Sequence, residues 1–306
     1  MLTADQIAQF HRDGFLIIRG LIKGKELSAL QQASDKVMAE GLAGVGQHAY
    51  HTRPDGKKMY FRSENMWSRD PIFRASTVNP ALLECIGQCY GHPFLPVNDS
   101  FVCKVPYGDV PINWHQDPPY GFMSDPPAET FEIPNFDTDI YLDASTIENG
   151  CVWGIPGKHL VGHVDLSKYS QEELFDKGAV PMVMEPGDVL FHCLSAPHGS
   201  VGNKTGTTRR IFYVHYMPLE VLSTSYAMWP DKQKAFSSEG IEEVRKMIAD
   251  RKAAGYGDLN GSRMELHDDG FVFKGDPTTP ARYWRKLIDA MPEDVKRRKR
   301  ALEVGA

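Results

Sequence analysis

Residues Asn113-Trp114-His115-Gln116-Asp117 set an imidazole and a carboxylate two positions apart. On a β-strand residues i and i+2 share a face, so His115 and Asp117 can reach one metal ion together. One more ligand completes a site. The candidate is His198 in Ser195-Ala196-Pro197-His198-Gly199-Ser200, which follows Gly187-Asp188-Val189-Leu190-Phe191, a turn leading into an apolar strand. Two histidines and one carboxylate on one face of a metal, with other positions open, form the facial triad of non-haem Fe(II) oxygenases. The open positions can take a chelating co-substrate and O2.

Further along, Thr207-Thr208-Arg209-Arg210-Ile211-Phe212-Tyr213-Val214 reads as a strand in which Arg209 follows His198 by eleven residues. An arginine can clamp a carboxylate through two parallel hydrogen bonds, which a lysine does less well. Lys104, at the end of a strand from Phe94 to Val105, is either a second contact for the co-substrate or an ordinary strand lysine.

With these motifs stand Glu148-Asn149-Gly150-Cys151 and Pro156-Gly157-Lys158-His159. Together they resemble the phytanoyl-CoA dioxygenase family of Fe(II)/2-oxoglutarate oxygenases, over residues 100 to 217. The family usually has Ser where Lys158 stands, a departure outside the metal set. The resemblance implies a dioxygenase that hydroxylates an unactivated C–H bond of a small organic molecule while 2-oxoglutarate is converted to succinate and CO2. It makes His115, Asp117 and His198 the ligands of Fe(II), Arg209 the anchor of the far carboxylate of 2-oxoglutarate, and Ser200 a further contact. Asp117 argues against halogenation, because halogenases of this lineage carry a small residue there. Two other classes stay open: a cupin-type metal-dependent isomerase or hydrolase, which would not need Arg209, and a non-catalytic binding protein on the same scaffold.

The chain has 306 residues, 42% hydrophobic and 24% charged, enough to bury a large core. We expect one domain over 1–306, with a jelly-roll core over about 94–217 and a helical extension over about 225–306. A net charge of -6 argues against general nucleic-acid binding. No apolar run approaches the ~20 residues of a membrane span, and the N-terminus lacks a basic segment followed by an apolar one. Five cysteines without scaffold-like spacing fit reduced thiols in a cytoplasmic setting. Cys85 and Cys89 share a helix face and read as buried apolar residues, with half of a metal site beside His92 as the alternative.

Thr3 to Gln6 resembles a capping box opening a helix through Arg12, ended by Gly14 before a buried strand, Phe15 to Ile18. Apolar residues at helical spacing predict helices over 25–40 and 79–90. The basic and aromatic stretch 48–74 reads as a solvated hairpin whose aromatics cap the core, with a substrate lid as the functional alternative. Pro118 to Asn135 reads as an irregular loop at the barrel mouth. Asp139 to Asp143 alternates as a strand, and Asn149-Gly150 is a turn signal before a returning strand. These short strands predict a fold that is mainly β with flanking helices, a double-stranded β-helix of the cupin-like jelly-roll type, with the iron in its open mouth. His159, His163, His192 and His215 are rival ligands, of which His159 and His192 read as structural.

After Pro218 we expect a helix over 239–254, turns over 260–276, and a helix from Arg282 to Ala301 interrupted at Pro292. The basic cluster Lys296 to Arg300 reads as a solvated helix end. A role for this extension in a homodimer or in covering the site is open. Residues 105–157 contain no lysine or arginine but nine acidic residues. A phosphate-bearing CoA thioester suits such surroundings poorly, so the expected partner is a small free substrate, neutral or amine-bearing, unless the stretch 53–74 folds over the mouth.

Overall fold

The computed structural model describes residues 1–53, 55–90, 93–117, 136–161, 164–218 and 238–275. At its start the Thr3 hydroxyl accepts from the Gln6 N–H, and the Gln6 side-chain oxygen accepts from the Thr3 N–H. This capping box opens α1 (Ala4–Asp13), and Gly14 closes it at φ 83, a left-handed conformation that favours glycine. Strand β1 (Phe15–Ile18) follows, then α2 (Gly24–Ala43), which buries Leu30, Ala33 and Val37 along one stripe.

The basic and aromatic stretch begins as the expected hairpin, β2 (Ala49–Thr52) and β3 (Lys58–Glu64). Its end departs from that reading and forms α3 (Pro71–Thr77). There the Asp70 carboxylate accepts from the Ile72 N–H at 3.0 Å and Pro71 occupies the first turn, both helix-start signals. Helix α4 (Pro80–Tyr90) carries Cys85 and Cys89 into the core, as their apolar reading predicts.

Next come β4 (Phe94–Lys104), β5 (Ile112–His115), β6 (Phe136–Tyr141), β7 (Val152–Gly154), α5 (Gln171–Asp176), β8 (Val180–Met182), β9 (Val189–Cys193), β10 (His198–Ser200) and β11 (Arg209–Pro218). They form two antiparallel sheets. The larger has the order β1-β9-β6-β11-β4, with β3 also on β4 and β2 on β3, and the smaller has the order β5-β10-β7-β8. This is the double-sheet jelly roll with flanking helices that the short strands predict.

One face of the large sheet packs on the helices through Phe101, Ile140, Phe191, Phe212 and Val214. The other face turns to the small sheet, where Phe15, Tyr141, Leu190 and Ile211 meet Val152 and Met182. Side chains alternate along a strand. On β11, therefore, Arg209, Ile211, Tyr213 and His215 face the barrel, while Arg210, Phe212 and Val214 face the helices. Gly187-Asp188 sets β9 in place. Gly187 has φ 89, and a Cβ there would lie 2.0 Å from the Ile22 carbonyl oxygen. Asp188 accepts from the N–H groups of Gly20 at 2.7 Å and Glu185 at 2.8 Å and pairs with Arg19 at 2.6 Å.

Helix α6 (Ser238–Ala253) matches its expectation and is fastened to α2 by the buried pair Arg251–Glu26 at 2.7 Å. The turn-only reading of 260–276 is corrected. Met264–His267 (β12) and Gly270–Phe273 (β13) form a hairpin that joins the large sheet through Phe271 beside Phe94. The loop 118–135, the helix 282–301, the basic cluster 296–300, His92 and His163 lie outside the described residues. All five cysteines are buried and none forms a disulfide. No helix among the described residues is long and apolar enough to cross a membrane.

Candidate metal centre

His115 ends β5 and His198 begins β10, and the two are directly opposite each other in antiparallel register. Their rings lie 4.2 Å apart between centroids. The strand stops at His115, so Asp117 reaches the same point from the following loop rather than from a strand face. Its N–H donates to the Leu194 carbonyl at 2.9 Å. Between His115 and Asp117 in sequence, Gln116 donates to the Ser195 carbonyl at 2.6 Å and accepts from the Val164 N–H at 2.8 Å, which pins that loop. Asp117 then presents Oδ1 at 3.6 Å from His115 Nε2 and Oδ2 at 3.5 Å from His198 Nε2.

Each imidazole has its other nitrogen against a backbone carbonyl, His115 Nδ1 at 2.8 Å from Asn113 and His198 Nδ1 at 2.9 Å from Ala196. A carbonyl only accepts, so Nδ1 carries the proton and the Nε2 lone pairs converge, the arrangement that a metal-binding histidine uses. Burial and then the His115 charge push His198 down to about 3, keeping it neutral. Burial alone would raise Asp117, but the neighbouring His198 and His115 outweigh it and hold the carboxyl well below its ordinary range. Three ligand atoms can thus meet one cation.

Deeper in the barrel lies Arg209, fully buried, opposite Lys104 on β4. None of its three guanidinium nitrogens meets a hydrogen-bond partner among the described residues. Tyr141 is close enough to feel its charge, and the Tyr141 hydroxyl is likewise buried without a partner. Lys104 turns its ammonium to the carbonyls of Val110, at 3.2 Å, and Val201. Burial and the Arg209 charge lower it to about 6. Ser200 is buried on the His198 side of β10. Arg210 points the opposite way and is held by Asp143, Asp35 and the Gln31 carbonyl, so it cannot substitute for Arg209 as a barrel cation.

The sequence reading named His192 and His215 as rival ligands but missed the two carboxylates that join them in a second ring of polar groups around the triad. Asp137 and Asp139 project inward from β6. His215 Nε2 lies 2.5 Å from Asp137, and His192 Nε2 lies 3.3 Å from Asp139. The His192 ring is 4.7 Å from that of His198. Burial opposes the charge on His192, but Asp139 and Asp117 raise it to about 8. Burial raises the Asp139 carboxyl against the pull of His192. The signal was present in the alternation Asp137, Asp139, Tyr141, a polar face opposite Ile140 and Leu142. His159 has no part in the site. It packs on Gly14 with Nε2 3.1 Å from the His11 carbonyl, as its structural reading predicts.

The model of the phytanoyl-CoA dioxygenase family matches residues 10–211. The chain belongs to that family. Its curated relatives include methylphosphonate hydroxylase of Gimesia maris, 25% identical over 240 residues that cover 77% of this chain and 88% of the relative. Dioxygenase lolE1 of Epichloe uncinata is 28% identical over 221 residues, 70% of this chain and 82% of its own. Among solved structures, HygX of Streptomyces hygroscopicus with nickel and 2-oxoglutarate bound shares the fold, at a TM-score of 0.57 and 16% identity over 72% of this chain and 88% of that one. Family membership, with a two-histidine, one-carboxylate cluster inside the jelly roll, makes this phytanoyl-CoA dioxygenase family member an iron- and 2-oxoglutarate-dependent dioxygenase.

Proposed function

We propose that this enzyme hydroxylates an unactivated C–H bond of a small free molecule, with His115, Asp117 and His198 holding Fe(II) and Arg209 holding the far carboxylate of 2-oxoglutarate. The observation that carries the reading is Arg209, a buried guanidinium without a hydrogen-bond partner among the described residues, in the same barrel as the convergent triad. Burying an unpaired charge costs several kcal/mol. A dicarboxylate that chelates the metal at one end removes that penalty at the other.

Fe(II) with 2-oxoglutarate supplies O2 activation coupled to conversion of the co-substrate to succinate and CO2. The chain's own groups position and enclose. His115 and His198 keep their Nε2 lone pairs aimed because Asn113 and Ala196 hold the Nδ1 protons. Asp117 supplies the anion and leaves no vacancy for a halide. The Tyr141 hydroxyl donates to the carboxylate that Arg209 binds, and Ser200, Lys104 and Ile211 wall the slot against water. A cupin-type isomerase or hydrolase would use the triad but leave Arg209 without a purpose.

A free substrate is favoured over a CoA thioester by the fate of part of the basic stretch, since Arg69 and Arg74 are held by Glu40 and Asp250. Methylphosphonate, after which one relative is called, is itself small and free. Five buried cysteines outside any disulfide suit a reducing compartment such as the cytoplasm. Adding 2-oxoglutarate to the anaerobic Fe(II) protein is expected to give a weak visible charge-transfer band. Succinate release should then be coupled to free natural-product-like compounds. Coupled turnover with CoA thioesters alone would overturn the substrate assignment, and stoichiometric Fe(II) without a band would overturn the role of 2-oxoglutarate.

A further inference from the structure

We propose that Asp137 and Asp139 form a recognition site for a cationic nitrogen, an ammonium or guanidinium, on the substrate. The inference rests on the oxygenase reading above and narrows its substrate to a class. Both carboxylates are buried, at 2% and 1% exposure, on the barrel face of β6. Asp137 offers a ligand atom within 4.8 Å of those of Asp117 and His192. A molecule bound to Asp137 and Asp139 therefore lies beside the metal centre, within reach of its open positions.

The two acids are incompletely satisfied by the protein. Asp137 Oδ2 is taken by His215 at 2.5 Å, while Oδ1 accepts no hydrogen bond among the described residues. Asp139 has His192 Nε2 at 3.3 Å from Oδ1, while its Oδ2 meets no donor among the described residues. Leaving a buried acceptor unpaired costs about 1–3 kcal/mol. With Asp117 alongside, these oxygens favour a donor with several N–H groups and positive charge.

Among the described residues, the guanidinium whose charge reaches this face is Arg209, which acts on Asp139 from the start of β11 and is assigned to 2-oxoglutarate. Arg210 is on the helix side of the sheet, and Arg62, whose charge reaches Tyr213 in the barrel, is paired with Glu64. His192 and His215 orient the two carboxylates, leaving the remaining oxygens for the ligand. The same donors pose one competing occupant, a second metal ion on Asp117, Asp137 and His192.

The experiment uses the full chain, anaerobic and loaded with Fe(II) and 2-oxoglutarate, and follows perturbation of the charge-transfer band. The probes are matched pairs, 4-aminobutanol against 1,4-butanediol, cyclohexylamine against cyclohexanol, and agmatine against N-acetylputrescine, together with methylphosphonate. The cations are expected to act at concentrations at least about tenfold below their neutral partners, the weight of one hydrogen bond to a charged group. In Asp137→Asn and Asp139→Asn that ratio should fall toward one. Because it is taken within each variant, weaker metal loading does not imitate the effect, and the wild-type pairs decide the matter if a variant fails to fold. A normal band that responds equally to both members of each pair, to none of them, or best to methylphosphonate overturns the proposal. So does metal analysis giving two ions per chain, the second lost in Asp137→Asn. Absence of the band overturns the oxygenase reading, and this inference with it.

Discussion

Arg209 and Arg210 are neighbours in sequence and opposites in environment. Arg210 faces α2 and has its guanidinium matched by Asp143, Asp35 and a carbonyl. Arg209 faces the barrel and has no such partner among the described residues. On the helix side of the large sheet Arg210 is held by Asp143 and Asp35, and between the helices Arg251 is held by Glu26. The barrel side collects Asp137, Asp139, Tyr141 and Arg209, each with a buried polar atom that meets no partner among the described residues. Paired buried charge marks where the protein holds itself together, and unpaired buried charge marks where it holds something else.

The largest effect should follow from removing a triad member. His198→Ala is expected to lower coupled succinate formation by at least about a hundredfold, beyond the loss typical of residues that only support a ligand. Undiminished stoichiometric Fe(II) binding in an anaerobic titration of that variant would take His198 out of the set. Next is the arginine pair itself. Arg209→Met should weaken 2-oxoglutarate by roughly 10- to 100-fold in the charge-transfer titration, the range for hydrogen bonds between charged groups. It should leave the melting temperature of the ligand-free protein unchanged or higher, since an unpaired buried charge is gone.

Arg210→Met should do the reverse. Its 2-oxoglutarate titration should match the wild type, while denaturant unfolding should show a loss of about 2 kcal/mol as Asp143 loses its partner. Equal behaviour of the two variants would break the contrast. A further effect, on stability alone, concerns two buried imidazoles outside the triad. Burial lowers His11 to about 3 and His159 to about 4. Both are neutral in the fold and protonate near 6.5 when unfolded. Stability is therefore complete above pH 6.5 and falls as the pH drops toward 4, by up to about 1.4 kcal/mol per pH unit for each. Urea titrations at pH 7 and pH 5 check this, and His159→Gln should flatten the difference.

Much of the fold was legible because local signals agreed with tertiary demand. Thr3 to Gln6 capped a helix, Gly14 ended it, and Gly187-Asp188 turned into β9. The hairpin of β12 and β13 was not legible, since its strands are four residues each and Asp268-Asp269 is a weaker turn signal than Asn-Gly. Helix α3 was hidden by the charged and aromatic residues around Asp70-Pro71. At the site, type and spacing made His115, Asp117 and His198 candidates, and the resemblance to the family gave them and Arg209 their roles, whereas the lack of a partner for Arg209 among the described residues is a property of three dimensions. Asp137 and Asp139 were visible only as alternation, and nothing in one dimension says that their face looks at a metal.

His115 and His198 sit directly across from each other on β5 and β10. A shift of the pairing by one residue would turn either imidazole to the far side of the small sheet. With the metal ligands assigned as proposed, the pairing of β5 and β10 would set the site, since a barrel closed one residue out of alignment would not bring these two imidazoles together.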